Sequence, residues 1–307
     1  MNWILLLEQT LNGLQFGILL FLLAAGLTLI FGIMDLINLA HGSLYMMGAY
    51  FAATFTQWTN SFLLGALIAI PSIMILGIII EVIALRTLYS RNHLDQVLAT
   101  FGLILFLNEF VRLLWGPIGL DIPLPPILNG SIELFFGIRY PSYRLLIIAL
   151  GIIVAFLLFL LVSKTKIGML IRAGASNRQM VSALGINIKF LYTIVFGLGA
   201  ALAGLAGLMA GPILTVEIGM GEEILIITLV VIVIGGVGSI KGAFVASLIV
   251  GFIDTVGRSF LPDILAIFFP TNVADTAAPA LSSMLIYILM AFILAIKPRG
   301  LFPPQGV

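Results

Sequence analysis

The sequence predicts an all-α, polytopic integral membrane protein: one transmembrane domain over residues 1–307, with about eight or nine membrane helices. Three observations predict it. Apolar residues make up 62% of the chain and charged residues 9%, with a mean hydropathy of +1.25. A soluble domain carries about 25% charged residues, and a soluble fold of 307 residues has too little interior for so much apolar side chain. The apolar residues fall into long runs separated by short polar breaks marked by Pro or Gly. The basic residues concentrate in alternate breaks, the pattern that sets membrane orientation.

Met1 to Asn12 reads as a short amphipathic lead, with Trp3 suited to an interface. It lacks the basic start of a cleavable signal, so the first membrane helix is expected to direct insertion. The apolar runs then predict helices near 14–34, 38–56, 62–85 (interrupted by Pro71), 97–115 and 145–162. Residues 116–143, rich in proline, predict an external loop. Further helices follow near 190–210, 224–234, 243–256 and 284–296, with a second Pro-marked external loop at 259–283. Within that loop, Ile264 to Phe269 has the length of a short re-entrant piece. The tail from Lys297 is too polar and Pro-rich for helix.

Loop charges orient the chain. One side collects Arg86, Arg91, Lys164, Lys166, Arg172, Arg178, Lys189, Lys241, Lys297 and Arg299. The other holds Arg139, Arg144, Arg258 and, at its border, Arg112. The first side, with the C-terminus, is therefore expected to be cytoplasmic.

The most informative stretch runs from Gly26 to Ala53, GLTLIFGIMDLINLAHGSLYMMGAYFAA. Two apolar helices meet there at a polar break, Asp35 to Ser43. Unwound backbone inside hydrocarbon is tolerated only where protein buries it or where it lines a wet cavity, and transporters bind cargo at such breaks. Counted as helix from Asp35, residues Asp35, Asn38, His41, Gly42, Tyr45 and Ala49 share one face. Leu39, Leu44, Met46, Met47 and Phe51 occupy the other, as a lipid or core stripe. Asn38, His41, Gly42 and Tyr45 are the candidate pathway residues; the simpler alternative is that Asn38 and His41 only tie two helices together.

The run Gly32 to Tyr50, GIMDLINLAHGSLYMMGAY, resembles the signature of the permease subunits of branched-chain amino acid ABC transporters. The spacing of apolar segments extends the resemblance over nearly the whole chain. It implies a bacterial inner-membrane permease, one half of the channel of an ATP-driven importer. It implies as partners a second homologous permease subunit, two ATP-binding subunits and a periplasmic substrate-binding protein. ATP and Mg would bind those partner subunits, leaving this chain without cofactor and not itself an enzyme. A related importer of urea, amides or other small organic solutes carries a similar signature. An ion-coupled secondary transporter would need acids at membrane centre, and the apolar runs hold almost none.

Between two membrane helices, residues 163–189 form the most polar segment. Arg172 to Leu184 predicts a short helix, capped by Ser176 or Asn177, whose apolar side holds Met180, Val181 and Leu184. Gly185 ends it. The position resembles the coupling helix of ABC importers, although the Glu-Ala-Ala start and Ile-x-Leu-Pro end of their loop are absent, so the motif itself transfers only to Ala183 and Gly185. On this reading Met180, Val181 and Leu184 anchor an ATPase subunit and Arg178 makes a polar rim contact. The alternative is a helix resting on headgroups, favoured by Lys164, Lys166 and Arg172.

The helix near 190–210 carries small residues four apart, through Gly197, Gly204, Gly207 and Gly211. Such residues let backbones approach closely in lipid, within the chain or against a second permease. Interruptions at Gly235-Gly236-Val237-Gly238 in the C-terminal half match the Asp35 break in the N-terminal half, the paired pattern of a site at a repeat interface. The glycine run is no nucleotide loop, since Lys241 is followed by Gly242 rather than Ser or Thr. Glu109–Arg112 and Asp254–Arg258 have the spacing of helix-end ion pairs, the alternative being contact with a zwitterionic substrate. Glu81 is expected to face polar partners, and Glu217, Glu222 and Glu223 to lie in a solvated outer turn, the alternative being that they meet basic residues of a soluble partner. There is no cysteine, and the two histidines, His41 and His93, are far apart. No metal or catalytic motif is present, and no basic patch for nucleic acid.

Overall fold

The computed structural model describes residues 3–134 and 137–303, and these are helical apart from loops and one small hairpin. Met1, Asn2 and the tail residues Pro304 to Val307 lie outside the described residues. Helix α1 (Trp3–Met34) includes the rest of the predicted lead. Nothing between Trp3 and Asn12 breaks a helix, so the strongly apolar run propagates backwards. It stops at Asp35, whose backbone is left-handed at φ 51°, a conformation that Asp tolerates better than apolar residues do.

After the break, α2 (His41–Thr59) ends at left-handed Asn60. Helix α3 (Phe62–Ile80) is capped by Ser61, passes through Pro71 and continues as a π turn over Glu81–Leu85 and a tight turn over Arg86–Leu88. Helix α4 (His93–Trp115) starts on Asn92, whose Oδ1 accepts the Asp95 N–H at 2.8 Å. The predicted external loop contains β1 (Ser131–Glu133) paired antiparallel with β2 (Arg139–Pro141). Helix α5 (Ser142–Lys164) follows. The polar segment then divides into α6 (Lys166–Ser176) and α7 (Arg178–Ala183), because Asn177 is extended and caps α7. The chain continues as α8 (Ile188–Ala210), α9 (Met220–Gly235), α10 (Ile240–Leu265) and α11 (Thr271–Ile296).

The predicted loop at 259–283 is mostly helix: α10 runs through Pro262 to Leu265, and α11 starts at Thr271 and runs through Pro279. Only 266–270 separates the two. Reading each proline as a stop applies the rule for helices in water. Long apolar helices packed on neighbours accommodate proline, as α3 also does at Pro71.

Among the described residues, seven helices are long and apolar enough to cross a membrane: α1, α3 with its extension, α4, α5, α8, α10 and α11. Helices α2 and α9 are shorter or less apolar and sit inside. Helix α2 is packed by α3, α8 and α9, with α4 beside it. Helix α1 runs antiparallel along α10, with Gly17 against Ser247 and Leu248 and Gly32 against Gly238. The two chain interruptions thus meet, since a Cβ on Gly32 would lie 3.4 Å from Gly238 Cα. In the best apolar windows, α1 is 83% and α8 78% buried, whereas α4 and α5 are 22% buried. The outer helices therefore present apolar faces outward, the arrangement for hydrocarbon rather than water.

Candidate translocation site and coupling element

The break and the start of α2 are enclosed by α1, α8 and α9. Asp35 stays exposed, while Asn38 is 2% and His41 0% exposed. Because the helix starts only at His41, Asp35 and Asn38 are not on its face; the shared face reduces to His41, Gly42, Tyr45 and Ala49. The reason is geometric: left-handed Asp35 turns the chain out of α1, and 36–38 run without helical hydrogen bonds. The opposite stripe is core, with Leu44, Met46 and Met47 all buried.

His41 reaches back to α1. Its Nε2 lies 3.2 Å from the Leu23 carbonyl oxygen, over the backbone of Gly26. A carbonyl only accepts, so Nε2 carries a proton and Nδ1 is left as the second polar atom. That Nδ1, both amide atoms of Asn38, Ser43 Oγ and Thr28 Oγ1 are buried without a hydrogen-bond partner among the described residues. Buried polar atoms are nearly always paired, so this concentration marks the break as chemically unfinished by the fold alone. The Ile37 N–H donates to Gln96 Oε1 at 3.3 Å, linking the break to the start of α4.

Glycines set the closeness of the surrounding helices. Gly42 packs backbone to backbone on Gly221 at the start of α9, and Gly48 on Gly204 of α8. Gly207 faces the Tyr45 carbonyl oxygen, and a Cβ there would lie 3.2 Å from Ala49 N. Gly197 lies against Met74 and Ile78 of α3, and Gly211 against Ile122 and Val216. All four small-residue positions of α8 thus face this chain's own elements.

At the opposite end of α8 from Gly211 lies the polar segment. Asn177 Oδ1 accepts the Met180 N–H at 2.9 Å, and Gly185 ends α7 at φ 84°. The predicted apolar side is divided: Val181 is 5% exposed and packs inward, whereas Met180 and Leu184 are 62% and 75% exposed. Arg178 and Ala183 are exposed beside them. Behind α7 lies a cavity of about 460 Å³, with Arg86, Tyr89, Ser182, Lys189 and Tyr192 in its wall.

Below that cavity, Glu81 is 0% exposed and fully engaged. It accepts Arg86 Nε at 3.2 Å and Nη2 at 3.0 Å, Tyr89 Oη at 2.7 Å and Thr193 Oγ1 at 2.8 Å. This network pins the π turn after α3 to the second turn of α8. The sequence signal for it was a lone acid in an apolar run with an arginine five residues on. The Asp254–Arg258 pair, at 3.0 Å, sits within α10 rather than at its end, and Asp254 is buried. Glu109 and Arg112 pair at 2.6 Å on the exposed side of α4. Glu222 is not in a solvated turn: it accepts Asn108 Nδ2 at 2.6 Å. Asn108 had no sequence signal, since an Asn in an apolar helix does not name its partner.

The family described as the branched-chain amino acid transport system / permease component matches residues 9–294. The chain is 31% identical over 274 residues to the high-affinity branched-chain amino acid transport system permease protein BraD of Pseudomonas aeruginosa, covering 84% of this chain and 88% of that one. It is also 31% identical to the permease protein LivH of Escherichia coli K12, over 83% and 87% of the two chains. A probable LivH from Methanocaldococcus jannaschii is 27% identical over 92% and 88%. No solved structure matches the chain significantly. A family match over nearly its whole length, and relatives this similar over most of theirs, mean that the chain belongs to the branched-chain amino acid transport permease family.

Proposed function

We propose that this chain is the membrane-embedded permease subunit of an ATP-driven importer of branched-chain amino acids, located in a bacterial inner membrane. Membership of the family carries the reading, and the buried, polar start of α2 is what such a subunit needs. Asn38, His41, Gly42 and Tyr45 form part of the path or its gate. The energy comes from two ATP-binding subunits, which hold ATP and Mg. A periplasmic binding protein delivers the solute, and a second, homologous permease completes the channel.

The α6–α7 end faces the cytoplasm in this reading, because Arg86, Arg91, Lys164, Lys166, Arg172, Arg178 and Lys189 cluster there. The C-terminal tail belongs to the same side: the Leu301 N–H donates to Ile234 O at 2.8 Å and the Phe302 N–H to Gly235 O at 3.0 Å, at the turn between α9 and α10. Helix α7 is the coupling element, with Met180 and Leu184 as apolar anchors, Arg178 at the rim, and Ala183 and Gly185 shaping the turn. The test is reconstitution with the ATP-binding and substrate-binding subunits in vesicles. ATP-dependent uptake of leucine, isoleucine or valine is expected; uptake driven by an ion gradient without ATPase subunits would overturn the reading.

A further inference from the structure

Among the described residues, the buried side-chain atoms without a partner outside the Asn38–Tyr45 stretch include one each on Asn108 and Glu222, which touch each other. Asn108 lies inside the apolar helix α4, and its Nδ2 donates to Glu222 Oε1 in the first turn of α9 at 2.6 Å. Asn108 Oδ1 and Glu222 Oε2 are both shielded from solvent, and neither has a hydrogen-bond partner among the described residues. The ion pairs found there involve Glu81, Glu109 and Asp254, not Glu222. An acid at the positive end of a helix is stabilised by the backbone dipole, and that suffices for the exposed neighbour Glu223. It does not account for a Glu222 side chain turned onto α4 with an oxygen buried.

Gly221, next to Glu222, packs on Gly42, and a Cβ on Gly221 would lie 3.1 Å from Ser43 N. The pair therefore adjoins the start of α2, which has no side-chain cap and where Ser43 Oγ and the Asn38 amide are buried and unpartnered. A carboxylate oxygen and an amide oxygen left unpaired side by side in an apolar surrounding are costly alone. They suit an ammonium group, which brings three N–H donors and a positive charge. The first turn of α2, which has no side-chain cap and lies at the positive end of the helix dipole, suits a carboxylate.

We propose that Glu222 and Asn108 receive the α-ammonium group of the amino-acid substrate where α2 and α9 cross, with the first turn of α2 facing its carboxylate. The proposal rests on the transport reading and deepens it: the crossing grips the charged end common to all amino acids and leaves the aliphatic side chain free.

The experiment measures ATP-dependent leucine uptake by the reconstituted full transporter. Glu222→Gln should lower uptake at least about tenfold, with unchanged membrane level and unchanged subunit composition. Glu222→Asp should restore part of it, and Glu223→Gln should match the natural protein. Uptake by Glu222→Gln at the natural rate overturns the proposal. If that variant fails to assemble, Asn108→Ala decides: reduced uptake by an assembled complex supports the site, and natural uptake overturns it. Failure of both to assemble also overturns it, because the pair then serves to hold α4 on α9. The two readings separate cleanly. A natural transporter that moves another amine-bearing solute loses the branched-chain reading but keeps this site under the same variants, whereas one that moves only solutes without an amine loses both.

Discussion

His41 combines a bond that stabilises with an atom that does not. Its Nε2 is held by Leu23 O, while Nδ1 is buried without a partner. Replacing both by an apolar side chain of similar size removes a hydrogen bond contributing about 1 kcal/mol and an unmet polar atom costing about as much. His41→Leu is therefore expected to leave membrane level and thermal stability nearly unchanged while transport falls; Asn38→Leu, which removes two unmet atoms, should be stable as well. Uptake measured against protein level in the same vesicles checks this, and loss of protein rather than of uptake would show that the two residues only tie helices together. Gly207 behaves in the opposite way. Its backbone faces Tyr45 O with no room for a Cβ, so Gly207→Val should destabilise by about 3 kcal/mol and reduce the amount of folded protein. A melting curve of the purified chain reads that difference.

At the scale of elements, the exposed and buried sides of α7 separate docking from folding. Leu184 and Met180 stand out while Val181 packs inward. Leu184→Asp is expected to keep the permease inserted and to lose the ATPase subunits on purification. Val181→Asp buries a charge and should deplete the permease itself. Retention of ATPase subunits by Leu184→Asp would show that α7 rests on the membrane surface instead. The cap and the stop of α7 were legible, because Asn177 and Gly185 have conformational signatures that act locally; the predicted start at Arg172 was not met, since extended Asn177 splits the segment and leaves Arg172–Ser176 in α6. The sequence could not divide Met180, Val181 and Leu184 between two sides, because only the contact with the rest of the chain does that. The same limit applies elsewhere. The break was legible from its polar residues, but the helical count through Asp35 was not, since one left-handed residue redirects the chain. The helical 259–283 stretch was hidden because Pro262 and Pro279 act locally as stops and only neighbouring helices override them. The Asn108–Glu222 pair joins residues far apart in sequence, and no local signal connects them.

At the scale of the molecule, the arrangement of helices and the distribution of charge make one joint statement about orientation. The break contacts Gln96, at the start of α4, and the C-terminal tail bonds to the turn between α9 and α10. Gly32, just before the break, meets Gly238 in that same turn, so these features share one end. The basic residues around α6 and α7 join them, since a Cβ on Gly174 of α6 would lie 3.5 Å from Ile33 of α1. The far end carries the β1–β2 hairpin and the bridge between Leu120 and Val216. If basic loops remain cytoplasmic, Ser90 and Arg299 lie inside and Asn129 outside; all three are exposed. The protein contains no cysteine, so single cysteines at these positions report without background. In intact cells an impermeant thiol reagent should label Asn129→Cys and spare Ser90→Cys and Arg299→Cys until the membrane is opened. Labelling of both Ser90→Cys and Arg299→Cys from outside would invert the molecule and remove α7 from the reach of ATPase subunits. Labelling of only one would mean that the two do not share an end, contradicting the contacts that join the break to the tail.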